Sequence, residues 1–263
     1  AAILVAFTTI HLPGAALRAD KPNIVLFLVD DMGWMDSTPY GSKYYETPRM
    51  ERLSMQSMRF TNAYSHPLCS PTRASILSGQ YPSRHGVTSA TGHQPPKPGG
   101  QPRYPKSAPP TKPLIYAASR NYLDPGLITL PEVLREAGYR TGHFGKWHLG
   151  LNQEHWPEKH GFDVFFGYYD QVHAHSFYTP YLIRNSEEVP LKGNLGGRSG
   201  ETHAQYPIME EALKFIRENK DKPFFCYLPV TPPHGMYDIP KDDPAWRRYK
   251  GEKWIEDDKI PQD

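Results

Sequence analysis

The sequence predicts an α/β fold in which a mainly parallel central sheet is flanked by helices. Residues 23–29 and 224–230 are continuous apolar runs rich in β-branched and aromatic residues, as expected for strands buried on both faces. Pro229 is expected to end the second strand, because proline donates no ladder hydrogen bond. Helix signals lie between the two runs, and strands that alternate with helices favour a parallel sheet. A length of 263 residues allows one large domain or a truncated pair.

Four helices are predicted from the signals at their ends. Thr47-Pro48 and Ser70-Pro71 each pair an N-cap residue with proline at the first helical position, and Gly79 is the expected stop of the second helix. A third helix is expected over residues 129–137. A fourth, over residues 206–220, has apolar side chains at the spacing of an amphipathic helix.

The first residues form an apolar run without charge, followed by small residues up to Ala19. This order resembles the hydrophobic region and cleavage site of a secretory signal peptide. We therefore expect residues 1–19 to be removed before Asp20 and the protein to be exported, either to a periplasm or out of the cell. The alternative is a buried N-terminal strand or helix. The run is too short for a permanent bilayer span, so no stable membrane insertion is expected.

Two stretches interrupt the pattern. Residues 88–126 hold nine prolines and predict a long loop or insertion. Residues 162–183 are dense in Phe, Tyr and His, and their secondary structure is ambiguous.

The composition excludes several classes of protein. Lys+Arg 30 against Asp+Glu 28 gives a net charge of only +2, so nucleic acid is not an expected partner. The two cysteines rule out a disulfide scaffold, and their spacing fits no zinc site.

Two acidic residues follow the first strand. Asp30 and Asp31 come where an open α/β sheet binds ligands, outside the carboxyl ends of its strands. Two carboxylates about 4 Å apart would repel by about 4 kcal/mol at an effective dielectric of about 20, which favours a hard cation such as Ca²⁺ or Mg²⁺ between them. The alternative is that one aspartate caps the next turn and the other faces water.

A cysteine lies next to a predicted helix start. Cys69 precedes Pro71, where free backbone N–H groups and the helix dipole favour anions. Arg73 follows about one turn later and is suited to neutralise a developing negative charge, or to form a surface salt bridge. In an exported protein the plain alternative for Cys69 is a disulfide with Cys226. Cys226 itself, inside a strand run, is expected to be a buried small hydrophobe.

Four blocks of sequence resemble the formylglycine-dependent sulfatases, a family with the alkaline-phosphatase-like fold. Residues 69–79 (CSPTRASILSG) contain the family pattern Cys-x-Pro-x-Arg, and residues 138–150 (GYRTGHFGKWHLG) contain its Gly-Tyr followed by Gly-Lys-Trp-His. The Val-Asp-Asp at residues 29–31 and the Pro-His loop at residues 231–234 are further family features. The blocks occur in the family order, and the resemblance covers residues 22–240.

The resemblance implies a sulfuric ester hydrolase that acts on aryl or carbohydrate sulfates. In this family a formylglycine-generating enzyme oxidises the cysteine of the pattern, here Cys69, to formylglycine during export. One hydroxyl of the hydrated aldehyde attacks sulfur and expels the alcohol. The other then loses its proton as the aldehyde reforms and sulfate leaves. A divalent ion, usually Ca²⁺, polarises the sulfate and the attacking hydroxyl.

The resemblance also implies a role for each site residue. The implied catalytic residues are Cys69, Arg73, Lys146, His148 and His234, and the implied metal ligands are Asp30, Asp31 and the modified Cys69. Arg73 would hold the hydrate, and Lys146 would contact both hydrate and sulfate. His148 would assist proton removal in the elimination step, and His234 would bind sulfate near the leaving oxygen. Each of the last three residues has a plain alternative. Lys146 could be a solvated lysine, His148 a core histidine packed beside Trp147, and His234 a histidine that only caps a turn.

Part of the family pattern lies outside this sequence. The family takes further metal ligands from a later Asp-Asn pair and uses a second active-site lysine, and no Asp-Asn dipeptide occurs here. We therefore expect residues 20–263 to be the N-terminal part of a longer catalytic domain. The ligands present fall short of the roughly 6–8 oxygens that Ca²⁺ takes.

Two other functions remain as alternatives. A phosphomonoester or phosphodiester hydrolase can use the same scaffold. A non-catalytic exported protein could bind glycans by stacking sugars on the aromatic stretch 162–181. His173, His175 and His203 could help to bind substrate, although surface positions are expected for them. The expected partners are a sulfated small molecule or polysaccharide and the formylglycine-generating enzyme.

Overall fold

Six strands form a central sheet in the computed structural model, which describes residues 21–90, 114–115 and 118–252. The strands are β1 (Ile24–Asp30), β2 (Arg140–Lys146), β3 (Val164–Tyr168), β4 (Tyr181–Arg184), β5 (Glu187–Pro190) and β6 (Phe224–Pro233). They lie in the order β1-β6-β2-β3-β4-β5. The first four strands in this order are parallel to one another, and β4 and β5 are added antiparallel. The predicted α/β fold with a mainly parallel sheet is confirmed.

Helices connect the strands as the sequence predicts. The α-helices of the described residues are α1 (Pro48–Ser54), α2 (Cys69–Ser78), α3 (Pro82–His85), α4 (Leu130–Glu136), α5 (Gln171–Ala174), α6 (Gln205–Asn219) and α7 (Pro244–Tyr249), and 3₁₀ turns cover Thr38–Tyr40, Gln153–His155 and Pro157–His160. The four predicted helices are α1, α2, α4 and α6. Gly79 ends α2 in the left-handed conformation (φ 65°), as predicted. Within the described residues, no helix is both long and apolar enough to cross a bilayer.

The start of α2 differs from the prediction. Leu68, rather than Ser70, has the extended backbone of the residue before the helix (φ −124°, ψ 150°). Its carbonyl oxygen accepts the Thr72 N–H at 3.1 Å. Cys69 is therefore the first helical residue and Pro71 the third. Proline is tolerated at that position because the N–H groups of the first turn have no partner within the helix.

The predicted burial of both faces of the first strand is wrong. β1 is an edge strand, with β6 as its neighbour in the described sheet. The side chains of Val25 and Phe27 are 50% and 51% exposed. A local apolar run shows that a segment is a strand, but it does not show where in the sheet that strand lies.

The prediction that Pro229 ends its strand is also wrong, since β6 continues to Pro233. β2 pairs with β6 only as far as Tyr227, whereas β1 continues to pair beyond it. The Pro229 carbonyl oxygen faces β2, where an added Cβ on Gly145 would meet it. In a strand, the N–H and the C=O of one residue point to the same neighbouring strand, so the nitrogen of Pro229 also faces β2. Because the hydrogen bonds between β2 and β6 have already ended at Tyr227, the missing N–H of Pro229 breaks none of them.

Helices cover both faces of the sheet around β6, whose side chains alternate between two hydrophobic clusters. Phe224 and Cys226 belong to one cluster, whereas Phe225 and Tyr227 belong to the other. The apolar face of α6 packs into the first cluster, and Ala74 and Leu77 of α2 pack into the second. Because both faces are buried, β6 is held rigidly and fixes the position of the loop that follows it.

The aromatic stretch of ambiguous structure forms β3, α5 and β4. Phe165 and Tyr168 are fully buried, and Phe177 is buried as well. These rings are therefore core residues, and the predicted sugar-stacking face over residues 162–181 is wrong for them. Aromatic density alone does not separate a core from a binding face.

Two predicted segments lie largely outside the residues that the structure describes. The signal peptide over residues 1–19 lies outside the described residues. The proline-rich insertion is described only at residues 88–90, 114–115 and 118–126, which carry no helix or strand.

The backbones of β2 and β6 approach each other closely at Gly145. A Cβ atom added there would lie 2.2 Å from the Pro229 carbonyl oxygen, and the residue has φ 135°. Both the contact and the conformation exclude a side chain. Gly145 directly precedes Lys146, so this approach sets the position of the lysine backbone.

We expect Gly145→Ala to lower the free energy of unfolding by about 3 kcal/mol, because the new Cβ must displace backbone and occupy a disfavoured φ. Gly197→Ala is a matched control with φ 94° and nothing within 4 Å of an added Cβ. The control should cost only about 1 kcal/mol. Urea unfolding of both variants measures the difference, and equal losses would show that the close approach contributes nothing.

Candidate active site

Three neighbouring strands end at one edge of the sheet, and each brings a predicted site residue there. Asp30 ends β1, Lys146 ends β2, and His234 directly follows β6. Because β6 lies between β1 and β2 and all three are parallel, their carboxyl ends meet. Open α/β sheets bind their ligands at this edge.

A shift in register brings the chain after β6 onto the end of β1. Val29 pairs with Val230, but Asp30 pairs with Pro233. The backbone N–H of His234 then donates to the Asp30 carbonyl oxygen at 3.2 Å. The irregularity therefore fixes the Pro-His loop beside the aspartates.

The side chains of Asp31 and His234 meet beside this irregularity. His234 Nε2 lies 3.3 Å from Asp31 Oδ2, and the two side chains are 19% and 59% exposed. Asp31 has φ 58°, which turns it away from the line of β1. The two aspartates thus have different surroundings: Asp31 faces the open side with His234, and Asp30 faces the interior.

α2 places Cys69 and Arg73 at the same edge of the sheet. Cys69 is partly buried at the first helical position, and Arg73 is buried one turn later. Arg73 Nη1 donates to the Lys146 carbonyl oxygen at 2.6 Å, and Arg73 Nη2 lies 3.1 Å from Asp30 Oδ2. The alternative of a surface salt bridge for Arg73 is therefore wrong.

Lys146 completes a buried ionic cluster, defined here as Asp30, Arg73 and Lys146. Lys146 Nζ donates to Asp30 Oδ2 at 2.7 Å, and the lysine side chain is 0% exposed. The alternative of a solvated lysine is therefore wrong. Two buried cations share one carboxylate, so the cluster has an excess of one positive charge when all three groups are ionised.

Burial and neighbouring charges oppose each other within the ionic cluster. Burial disfavours ionisation of Asp30, but the charges of Arg73 and Lys146 outweigh it and lower its pKa. Burial and the Arg73 charge lower the pKa of Lys146, against the opposing effects of Asp30 and Cys69. Because the Asp30 pKa is lowered on folding, the stability it contributes is present at neutral pH. That stability is lost as the pH falls below the ordinary aspartate pKa of about 3.9.

The two aspartates fit part of a divalent metal site. Carboxylate oxygens are the donors that Ca²⁺ and Mg²⁺ take. Across residues 21–90, 114–115 and 118–252, however, no three His, Cys, Asp or Glu side chains are placed to hold a metal ion. Asp30 and Asp31 therefore have suitable chemistry but do not form a complete metal site with other described residues.

His148 lies at the same edge, two residues beyond Lys146, and is fully buried. Its backbone N–H donates to the Tyr169 carbonyl oxygen at 2.9 Å, which extends the pairing of β2 with β3 past Lys146. A φ of 59° then turns the chain away from the strand. All of the predicted site residues are therefore gathered at the carboxyl end of the sheet and the start of α2.

α5 brings two further residues to the site: Gln171, which the sequence did not single out, and His175, for which a surface position was expected. The thiol of Cys69 donates to Gln171 Oε1, with the sulfur and oxygen 3.6 Å apart. The ring of His175 stacks on that of His234, with centroids 4.3 Å apart and 27° between the planes. The sequence contains one sign of α5: Asp170, directly before it, is a residue type that favours the N-cap of a helix.

The surface positions expected for His173, His175 and His203 are wrong. His203 is buried, and the other two are partly buried. His175 alone lies against a predicted site residue, His234. Burial, followed by the charges of His234 and Lys146, lowers the pKa of His175 to about 4, so its ring is neutral at neutral pH.

Both cysteines are free, so the alternative of a disulfide between Cys69 and Cys226 is wrong. Cys226 is fully buried, as predicted. Burial raises the pKa of its thiol to about 12, which keeps it protonated and unreactive.

Comparison with known proteins assigns this arrangement to a family. The profile of the family described as Sulfatase matches residues 22–259. The chain belongs to the sulfatase family. Sulfatases generally use a formylglycine and a divalent metal ion.

Curated relatives agree with this assignment. N-acetylgalactosamine-6-sulfatase of Canis lupus familiaris is 33% identical over 245 residues, which cover 84% of this chain and 41% of that protein. A sulfatase of Formosa agariphila is 30% identical over an aligned length of 279 positions, and the match covers 90% of this chain and 48% of that protein. This chain therefore spans less than half the length of these sulfatases.

Solved structures share the fold of this chain. Ps i-CgsB in complex with k-i-k-neocarrahexaose is similar with a TM-score of 0.68 at 27% identity, over 89% of this chain and 50% of that one. BT4656 in complex with its substrate D-glucosamine-2-N,6-O-disulfate is similar with a TM-score of 0.59 at 25% identity, over 82% of this chain and 35% of that one. The fold similarity extends over more than four fifths of this chain in both comparisons.

We expect Asp30→Asn to lower the free energy of unfolding by about 3–5 kcal/mol, because it leaves Arg73 and Lys146 buried without a countercharge. Glu201→Gln is the control, since Glu201 pairs with Lys192 at 3.8 Å and the two side chains are 64% and 91% exposed. The control should change stability by less than about 0.5 kcal/mol. Chemical denaturation at pH 7 compares the variants, and similar losses would contradict a special role for the buried carboxylate.

Proposed function

We propose that the protein hydrolyses sulfate esters, with residue 69 as the nucleophile. The proposal rests on the position of Cys69 at the first turn of α2, beside the ionic cluster of Asp30, Arg73 and Lys146. The excess positive charge of this cluster favours an anion such as a sulfate group. The free backbone N–H groups at the start of α2 favour the same charge.

The nucleophile of the proposed reaction is formylglycine formed from Cys69. Its hydrate would supply a hydroxyl that attacks sulfur and a second hydroxyl that lets the enzyme release sulfate. Gln171 is placed to accept a hydrogen bond from residue 69, as it does from the Cys69 thiol. Arg73 is fixed by Asp30 and the Lys146 carbonyl, so it would present its charge to the hydrate in one orientation.

Asp30, Asp31 and residue 69 would hold a divalent metal ion, for which we propose Ca²⁺. The ion would supply Lewis-acid polarisation of the sulfate when bound. Lys146 would contact the sulfate from the buried side of the site. Its low exposure keeps water away from that contact and strengthens it.

The two site histidines would act in different steps of the reaction, His234 when the alcohol leaves and His148 when sulfate is released. His234 lies on the open side of the site and would hydrogen-bond through Nε2 to the leaving oxygen of the ester. His148 lies on the interior side and would accept the proton from the hydrate when sulfate is released.

The proposed substrates are sulfated saccharides. Relatives include N-acetylgalactosamine-6-sulfatase, and one similar structure holds a disulfated glucosamine described as its substrate. Small aryl sulfates share the reacting group and serve as test substrates. The glycan-binding alternative loses its basis, because Phe165, Tyr168 and Phe177 are buried.

Export and maturation complete the proposal. The apolar run within residues 1–19 supports export to a periplasm or out of the cell. The segment from Cys69 to Arg73 carries the residues that a formylglycine-generating enzyme would recognise.

We expect the full-length protein, produced with a formylglycine-generating enzyme, to carry an aldehyde at residue 69 and to hydrolyse 4-nitrophenyl sulfate faster than 4-nitrophenyl phosphate. Mass spectrometry of the tryptic peptide between Arg59 and Arg73 tests the aldehyde, and the Cys226 peptide is the internal control that should keep its thiol. Cys69→Ala should reduce sulfate turnover by at least about 10³-fold. Dominant phosphate turnover would favour the phosphate ester hydrolase, and full turnover with an intact thiol at residue 69 would refute the nucleophile.

We expect a chelator to abolish sulfate turnover and added Ca²⁺ to restore it. Free Ca²⁺ at about 100 times its Kd should also stabilise the folded protein by about 2.7 kcal/mol, measured by thermal unfolding. Asp31→Asn should remove most of this stabilisation, whereas Glu201→Gln should retain it. An unchanged thermal midpoint on adding Ca²⁺, Mg²⁺ or Mn²⁺ would contradict the metal site.

A further inference from the structure

α5 is a short helix that is anchored on both sides beside the site. The Asp170 carboxylate accepts the His173 N–H at 2.9 Å. His173 Nε2 lies 2.9 Å from the carbonyl oxygen of Tyr181 in β4. These bonds tie α5 to the sheet, so Gln171 and His175 at its two ends are held in place rather than carried on a loose loop.

His175 packs against the histidine that faces the open side of the site. Its ring stacks on His234 with centroids 4.3 Å apart and 27° between the planes. Within the described residues, the His234 ring also lies 3.3 Å from Asp31 Oδ2 and is hydrogen-bonded at 3.1 Å to the Gly235 carbonyl oxygen. The 3.3 Å contact is long for a hydrogen bond, and the bond to Gly235 is made to the adjoining residue, whereas the His175 ring covers one face of the His234 ring from another element.

We propose that His175 is a positioning residue that fixes the ring plane of His234, so that Nε2 points to the leaving oxygen of the sulfate ester. The inference rests on the proposed function of this site and adds a residue to it. His234 can act on the leaving oxygen only when the ring is held at the correct angle. A small misplacement of such a group costs much of its effect.

The state of His175 agrees with this role. Burial lowers its pKa and keeps its ring neutral at neutral pH, so it stacks on His234 without charge repulsion. Its Nε2 is buried and has no hydrogen-bond partner among the described residues. Direct hydrogen bonding of that nitrogen to the substrate alcohol is the competing role, and a variant that keeps the ring without its nitrogens separates the two.

The test compares His175→Ala with His175→Phe in the full-length, matured protein. His175→Ala should lower kcat by about 10- to 100-fold with KM changed by less than about threefold, because the lost alignment acts on the transition state. The loss should be larger for sugar sulfates than for 4-nitrophenyl sulfate, since a poorer leaving alcohol depends more on His234. His175→Phe keeps a stacking ring and should restore kcat to within about threefold of the parent.

Val172→Ala is the matched control, since Val172 lies on the same helix and is 68% exposed. It should leave kcat and KM unchanged and so show that α5 tolerates substitution. Loss of activity in both His175→Ala and His175→Phe would assign direct substrate contact to the nitrogens and overturn the positioning role. Unchanged kcat in His175→Ala would overturn it as well.

A second measurement does not depend on turnover. In a crystal structure of His175→Ala, His234 should rotate and lose its 3.3 Å contact with Asp31, whereas His175→Phe should keep it. A ring that stays in place in His175→Ala overturns the inference even if the parent hydrolyses no sulfate ester. A parent without sulfatase activity, by contrast, counts against the proposed function alone.

Discussion

The site depends on one buried carboxylate. Asp30 belongs to β1, Lys146 to β2 and Arg73 to α2, and both cations contact the same oxygen of Asp30. Separating any of these elements would leave a charge buried without its partner, at a cost of several kcal/mol. The ionic cluster therefore holds the strand ends and the helix start together and leaves one uncompensated positive charge beside Cys69. The proposed affinity for an anion would therefore come from the same three groups that stabilise the strand ends.

Backbone geometry explains why these groups reach one another. Gly145 allows β2 and β6 to approach closely just before Lys146. The register shift after Val29 skips two residues of β6, and the loop that follows β6 then places His234 beside Asp31. Neither feature involves a catalytic side chain, yet both set where the catalytic candidates lie. A close approach at glycine and a shift in strand register are expected at functional sites, because a regular sheet alone does not bring side chains from several strands together.

Local sequence patterns predicted β1, β6 and the four longer helices, since each depends on nearby residues, but they did not predict β2 to β5. The aspartates were placed at the carboxyl end of a strand, whereas Lys146, His148 and His234 were assigned to the site through the family resemblance. The exposure of Val25 and Phe27 was not predictable, because it depends on which strand lies at the sheet edge. The role of α5 was missed because four residues are too few to show a helical period. The stacking of His175 on His234 joins segments about sixty residues apart and is visible only in three dimensions.

In the proposed function, the ionic cluster and the α5 side of the site would face different parts of a sulfate ester. The positive charge of Arg73 and Lys146 would act on the sulfate group, which is common to all sulfate esters, so it would contribute nothing to the choice between alcohols. Discrimination would then come from groups on the open side, where His234 and its stacked partner His175 would meet the leaving alcohol. Relatives that share the buried cluster can therefore differ in substrate through this side of the site, without any change in the charges that hold the strand ends together.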